Sequence, residues 1–505
     1  MRFLLFGNHS SRNTTKSISL ETSHQVKDSQ QQLREGVATL FKDSFGYLLG
    51  GAGVGLINFA LVPLYTSYLR PAEFGVFILI EIGLLVVISA SQLGFNTSYL
   101  KWFSGMQPAD HGSLLGSTLV STLLSSATNG IVLSLTIVWV AGGVYASVLP
   151  GSIAWMVTPI VITEVIHGAF LSDFRAKRRI FAYSSTSILK STVILGCSYY
   201  LIAIRGGGIG EVFAARLIGS SVGLLLSWVI GSKGLKFRPN LSLIRPMIKY
   251  GLPLVWSSFM AMAMDATGRF ILQKESSLYE VGLFGAALKV SGIFQMGITQ
   301  PFGVAWGGLM FRILKWHRPA QVYATMWVLV FTLSLTAAFF LSMLTPLLFR
   351  MFTAEAYWPA TTIFPLIVLV RAISVMEYPA AIGIYLSGRT GFFALIYGVG
   401  ALLCIVTNIT LTPTFGANGT AWSWLIGWSS IIIGMVVIGH RLYPLAISWK
   451  WVSVVLVAWT LVLLLNETTV DIFDSRNWAL KTITACVVTA VVFLYFLHHF
   501  RSRKE

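Results

Sequence analysis

Apolar runs long enough to cross a bilayer recur through nearly the whole of this 505-residue chain. Runs of roughly 18 or more apolar residues bounded by polar clusters are transmembrane helix candidates. Fourteen can be read, at about 45–68, 76–99, 114–140, 150–172, 181–204, 211–231, 250–272, 281–308, 320–345, 358–386, 392–411, 418–439, 449–466 and 478–498. With 55% apolar and only 11% charged residues, the chain lacks the polar surface of a soluble domain, so lipid solvates most of it. The expected fold is all-α, a polytopic membrane protein with about 14 transmembrane helices.

The charge is arranged to set topology. Of 36 Lys and Arg, 25 fall on one side of the expected spans and six on the other, with Lys481 among the six. The rich side holds Phe174-Arg-Ala-Lys-Arg-Arg179, the 232–249 connection, Arg312, Lys315, Arg318 and the Arg501-Ser-Arg-Lys504 tail. That bias places both termini in the cytoplasm. It also accounts for the basic excess without nucleic acid, because no basic stripe interleaved with exposed aromatics occurs on a soluble segment. Residues 1–44 form a polar leader without the h-region of a signal peptide. The three cysteines, Cys197, Cys404 and Cys486, all lie in apolar runs and read as buried thiols.

A repeat organises the spans. Glu73-Phe-Gly75-Val-Phe77 returns as Glu280-Val-Gly282-Leu-Phe284, 207 residues on. Gly207-Gly-Ile-Gly210 is echoed at nearly the same offset by Gly416-Ala-Asn-Gly419. Two unrelated matches with one period point to an internal duplication. Six helices separate the copies, an even number, so both enter from the same side and the repeat is parallel, with a pseudo-two-fold axis along the membrane normal. The expected domains are a leader (1–44), an N-lobe (45–231), a cytoplasmic linker (232–249), a C-lobe (250–440) and an appendix of two further helices with a basic tail (441–505). Gly75 and Gly282 read as tight helix starts at the outer turns.

Leu69-Arg-Pro-Ala-Glu-Phe-Gly75 after helix one, Lys249-Tyr-Gly-Leu-Pro-Leu254 opening helix seven, Asp265-x-x-x-Arg269 near its end, and the Gly-x-x-Gly turns resemble bacterial polysaccharide-biosynthesis flippases. These are the Wzx-type translocases of the multidrug/oligosaccharidyl-lipid/polysaccharide exporter superfamily. The resemblance covers roughly 40–500 and implies a twelve-helix, two-lobed core plus two helices, with a central cavity that opens to each side in turn. It implies undecaprenyl-diphosphate-linked oligosaccharide as cargo, for O-antigen, capsule or exopolysaccharide synthesis at the bacterial inner membrane, alongside other polysaccharide-assembly proteins. Membrane lipids are the remaining partners; nucleic acid and cofactors are not expected.

A charge within a span costs about 2.5–3.5 kcal/mol on insertion scales, so each needs a reason. The in-span cations are Lys190, Arg216, Arg269, Lys289 and Arg371; the acids are Glu81, Glu164, Asp265 and Glu377. A cationic cavity offsets the charge of a diphosphate headgroup, and guanidinium groups grip phosphate bidentately. Arg371, Lys289, Arg269, Asp265, Lys190 and Arg216 are therefore the candidate substrate-cavity residues, and Glu81, Asp265 and Glu377 the candidate ion-coupling acids. Glu164 reads mainly as a structural charge. Snorkelling to a span end and pairing with a neighbouring helix are the bland readings of all of them. Asp265 and Arg269, one turn apart, are placed to pair; Arg371 and Glu377, six apart, are not.

Enzyme motifs are essentially absent. Gly219-Ser-Ser-Val-Gly223 matches a nucleophile elbow only formally, inside an apolar run. No Walker A sequence and no zinc-spaced ligand cluster occurs, so neither an ATP engine nor a metal site is expected. An ion-coupled small-molecule exporter on the same scaffold is the alternative reading. A membrane polymerase or glycosyltransferase is a distant third, because the longest outer loop, about 467–477, is short.

Overall fold

A computed structural model of the chain describes residues 50–141, 151–233, 235, 240–314, 319–445 and 453. The leader and, apart from Ser453, the last two expected spans lie outside the described residues, as does Cys486. Every regular element among the described residues is helical. In hydrocarbon each backbone N–H and C=O needs a partner within the chain, and a helix supplies one locally. Nine helices among the described residues are long and apolar enough to cross a membrane, so the chain is a multi-pass membrane protein.

The first half comprises α1 (50–68), α2 (Pro71–Ser91), α3 (Phe95–Gly105), α4 (His111–Ala141), α5 (Ser152–Ala176), α6 (Ile180–Ser198) and α7 (Ile209–Gly231). The second comprises α8 (Leu241–Glu275), α9 (Leu278–Val290), α10 (Gln300–Ile313), α11 (Pro319–Met343), α12 (Thr345–Phe352), α13 (Phe364–Val375) and α14 (Gly391–Leu442). A short turn and a π-helical segment join α9 to α10, so that Leu278–Trp306 is one candidate span.

Four boundaries differ from the sequence expectation by five residues or more, each for a local reason. The second span starts at Pro71, where proline is preorganised for the first helical turn and Glu73 accepts the Arg70 N–H at 2.8 Å. It ends at Ser91 because Leu93 (φ 48°) and Gly94 (φ 73°) turn left-handed. Residues 241–249, read as linker, belong to α8: Asn240 Oδ1 caps it by accepting the Ser242 N–H at 3.0 Å. The tenth span begins at Phe364, since Glu355–Thr362 is a 3₁₀ segment outside it.

α14 contains two passes. At Gly416 the backbone takes φ 55° and ψ −133°, and the chain reverses. Thr412 and Thr420 then share a 3.1 Å hydrogen bond, and a Cβ at Gly434 would lie 3.2 Å from Ile396. The Gly416-Ala-Asn-Gly419 turn separates the passes, as Gly207-Gly-Ile-Gly210 separates α6 from α7.

The halves meet where the repeated motifs lie. A Cβ at Gly75 would overlap the Leu278 carbonyl oxygen, and a Cβ at Gly282 would overlap that of Pro71. Pro71 and Leu278 are themselves 207 apart. The contact is therefore reciprocal, with the same two positions of each copy facing the other across a local two-fold axis. Expected as helix starts alone, these glycines serve a crossing in which α2 and α9 touch backbone to backbone. Without a hydrophobic drive between helices in lipid, such close approach is what holds them together. Phe74, Phe77, Val281 and Phe284 are buried beside it. On the opposite side, Leu124, Ile131 and Leu135 of α4 face outward, as a lipid-exposed surface requires.

Candidate functional site

A cavity of about 440 Å³ opens between α1, α2, α5, α6 and α7, with α9 closing it from the second half. Glu81, Glu164, Lys190, Arg216 and Lys289 line it, all well inside their candidate spans. Helical geometry puts them together. α6 and α7 run antiparallel, with Lys190 beside Gly223, and the α2–α9 crossing carries Glu81 and Lys289 to the same level.

The charges form two linked groups. Glu81 lies across the seam from Lys289, each of its oxygens 2.7 Å from Nζ. Glu164 is bonded to Lys190, and its other oxygen stands 3.8 Å from Arg216 Nε, beyond hydrogen-bonding distance. Arg216 and Arg269 are both within electrostatic reach of Glu81. His167, one turn beyond Glu164, hydrogen-bonds Ser227 at 2.9 Å. Asn58, Gln92 and Ser187 add neutral polar groups to the wall.

A second group lies in the C-terminal half. Asp265 accepts from Arg269 Nη2 at 3.0 Å, an i,i+4 pair on α8. Arg269 is only 8% exposed, and its Nε has no hydrogen-bond partner among the described residues. Arg371 on α13 donates from Nε to Ser291 Oγ at 3.4 Å, and both Asp265 and Arg269 lie within its electrostatic reach. Glu377 stands apart, accepting from Tyr397 Oη at 2.5 Å.

Of the residues expected from sequence, the structure thus brings Glu81, Lys190, Arg216 and Lys289 into one cavity. Asp265, Arg269 and Arg371 form a separate neighbouring group outside its lining, and Glu377 joins neither. Glu164 was undervalued in the sequence, yet it holds the N-terminal group together. The signal for it was numerical: α5, α6 and α7 carry one mid-helix acid against two mid-helix cations, all in one half of the chain.

Contacts between the two halves flank the cavity at both ends. At one end stand the glycine crossing and Tyr357, which donates to the Leu69 carbonyl at 2.8 Å while its ring meets Phe74 edge-on. At the other end the Gly94 turn abuts Gly251 of α8, backbone to backbone. Lys101 Nζ sits 3.8 Å over the Tyr250 ring there, and Trp102 meets the same ring. The cavity thus lies within the first half, with Lys289 as its contribution from the second and contacts between the halves flanking it.

No protein-family model and no curated protein matches this chain. Solved structures do. The chain is similar to the lipid II flippase MurJ in an inward closed conformation, at 12% identity and a TM-score of 0.67, covering 92% of this chain and 99% of that one. It is also similar to an inward-facing multidrug resistance MATE family transporter of the MOP superfamily, at 16% identity and a TM-score of 0.58, covering 77% and 94%. A MATE structure in a straight conformation aligns at 17% identity and a TM-score of 0.56, covering 80% and 95%. The chain shares the overall fold of these solved structures.

Proposed function

We propose that the chain flips an undecaprenyl-diphosphate-linked oligosaccharide across the bacterial inner membrane for surface polysaccharide synthesis, by alternating access of the charged cavity. The observation that carries this reading is a charge count. The two neighbouring groups hold five cations (Lys190, Arg216, Arg269, Lys289, Arg371) and three carboxylates (Glu81, Glu164, Asp265). The excess is two positive charges within the helices. A diphosphate diester carries about two negative charges, so the cargo headgroup would neutralise what the protein leaves open. The cations, not the acids, then define specificity, which disfavours a cationic drug as cargo. No enzymatic step is involved, and both termini face the cytoplasm with the basic loops.

Ion coupling on the same scaffold is the second reading, favoured by Glu377, a mid-span acid with Tyr397 but no cation paired with it among the described residues. The two readings combine if the ion drives the flipping.

Arg216→Gln and Lys190→Gln are expected to abolish surface polymer at unchanged protein level. A polyprenyl-diphosphate oligosaccharide should accumulate, identified by mass spectrometry of the lipid extract. A deletion strain that accumulates no diphosphate-linked intermediate would overturn the reading.

A further inference from the structure

We infer that Glu81 and Glu164 are resident counter-anions, which hold the cavity's cations while it is empty and are displaced by the two phosphates of the cargo. This rests on the diphosphate reading above and adds to it how the site is emptied and how its occupancy reaches the seam.

Both carboxylates face the space the cargo would fill. Their side chains are 18% and 13% exposed, and their partners Lys289, Lys190 and Arg216 are 35%, 17% and 17% exposed, all to the same cavity. Ion pairs with only a structural task are sealed from such a space and matched in number. Here three cations meet two acids, and the match is uneven. Glu81 occupies Lys289 with both oxygens, while Glu164 holds Lys190 and leaves Arg216 at 3.8 Å. The Arg216 fork thus has donors free for a first phosphate contact. From there an anion can take over Lys190 and Lys289 without either cation ever being left bare, which would be the costly event in a site of low dielectric.

The displaced carboxylates also have somewhere to go. Arg269, whose Nε lacks a partner among the described residues, lies within electrostatic reach of Glu81. Glu164 keeps the Arg216 guanidinium 3.8 Å away, whose fork has donors enough to hold a carboxylate as well as a phosphate. Return of the carboxylates to their lysines would then drive phosphate out, so each acid lowers affinity and raises the rate of release.

The two acids differ in one respect. Glu164, Lys190 and Arg216 all belong to the first half of the chain. Glu81–Lys289 is the one ion pair joining the halves among the described residues. Its exchange for a phosphate removes a tie between α2 and α9, so occupancy of this pair is communicated to the seam. Glu164 tunes affinity alone.

The test uses the full-length protein in nanodiscs of zwitterionic lipid, with inorganic pyrophosphate, polyprenyl diphosphate and polyprenyl monophosphate as probes. Glu81→Gln and Glu164→Gln should each bind pyrophosphate and the polyprenyl diphosphate at least about tenfold more tightly than wild type, and flip more slowly. The monophosphate should gain less. Glu81→Asp keeps the charge and should bind as wild type does. Spin labels placed across the halves should report a wider distance distribution in ligand-free Glu81→Gln, and no change in Glu164→Gln. Thermal melts and gel filtration establish that each variant is folded. If wild type binds the diphosphates and the folded Gln variants bind equally or more weakly, the displacement idea is wrong and the diphosphate reading stands. If wild type and variants all fail to bind either diphosphate, the diphosphate reading falls and this inference with it.

Discussion

A methyl group added at Gly75 or Gly282 tests the seam directly. At Gly75 it would overlap the Leu278 carbonyl oxygen and lie 3.1 Å from both the Leu278 carbonyl carbon and the Gly282 nitrogen. At Gly282 it would overlap the Pro71 carbonyl oxygen and lie 2.7 Å from its carbon. These obstacles are backbone, which cannot rotate away. Restoring ordinary contact distances requires α2 and α9 to separate by about 1 Å. Overpacking of this kind costs about 1–3 kcal/mol, and alanine returns up to about 1 kcal/mol of helix propensity. Each single alanine should therefore destabilise by about 1–2 kcal/mol. The separation that accommodates one methyl also accommodates the other, so Gly75→Ala/Gly282→Ala should fall short of the sum by about 1 kcal/mol. Equilibrium unfolding in mixed micelles of dodecyl maltoside and SDS measures the cycle. Gly51→Ala, with nothing within 4 Å of its added Cβ, is the control and should be neutral or slightly stabilising. Strict additivity, or single variants as stable as the control, would refute the reciprocal crossing.

Three further outcomes are expected. Gly416→Ala should destabilise by about 1–2 kcal/mol in the same unfolding assay, because φ of 55° is strained for any residue with a Cβ. Asp265→Asn should cost about 1–3 kcal/mol, less than for a fully enclosed pair because Asp265 is one-third exposed; adding Arg269→Gln should recover most of it, read by the same titration. Tyr357→Phe removes the hydrogen bond to the Leu69 carbonyl, worth about 1 kcal/mol, and should raise thiol labelling of a cysteine placed on the cavity side of Val62.

The kind of element was legible in the sequence because hydrocarbon imposes one rule on every crossing segment, and length and apolarity report it. The boundaries were less so. Asn240 announces a helix start by its own chemistry, but Arg245 and Lys249 inside the following turns made that stretch look like a loop. A helix can extend past the hydrocarbon into water, where those charges cost nothing, and apolarity alone misses that extension. Leu93–Gly94 hides in the same way: an apolar residue in a left-handed conformation leaves no mark on a hydropathy trace. The repeat was visible as two short motifs, yet its meaning was not. Glycine permits both a tight turn and a close crossing, and only the position of the partner backbone distinguishes them.

The site poses a harder problem, because sequence gives the depth of a charge and not the direction in which it points. Lys190, Arg216, Lys289 and Arg371 look alike along the chain, each a cation in an apolar run. Rotation about the helix axis sends the first three to one cavity and Arg371 to the Asp265–Arg269 group beside it. Spacing within one helix found the Asp265–Arg269 pair, since four residues is one turn. It could not find Glu81–Lys289, whose partners are 208 residues apart and meet only because Gly75 and Gly282 let their helices cross one to two turns earlier. The motif that looked remote from chemistry therefore governs it. Widening the α2–α9 crossing with an alanine should lengthen the Glu81–Lys289 pair as well, so the seam variants ought to alter anion binding at a site they do not touch.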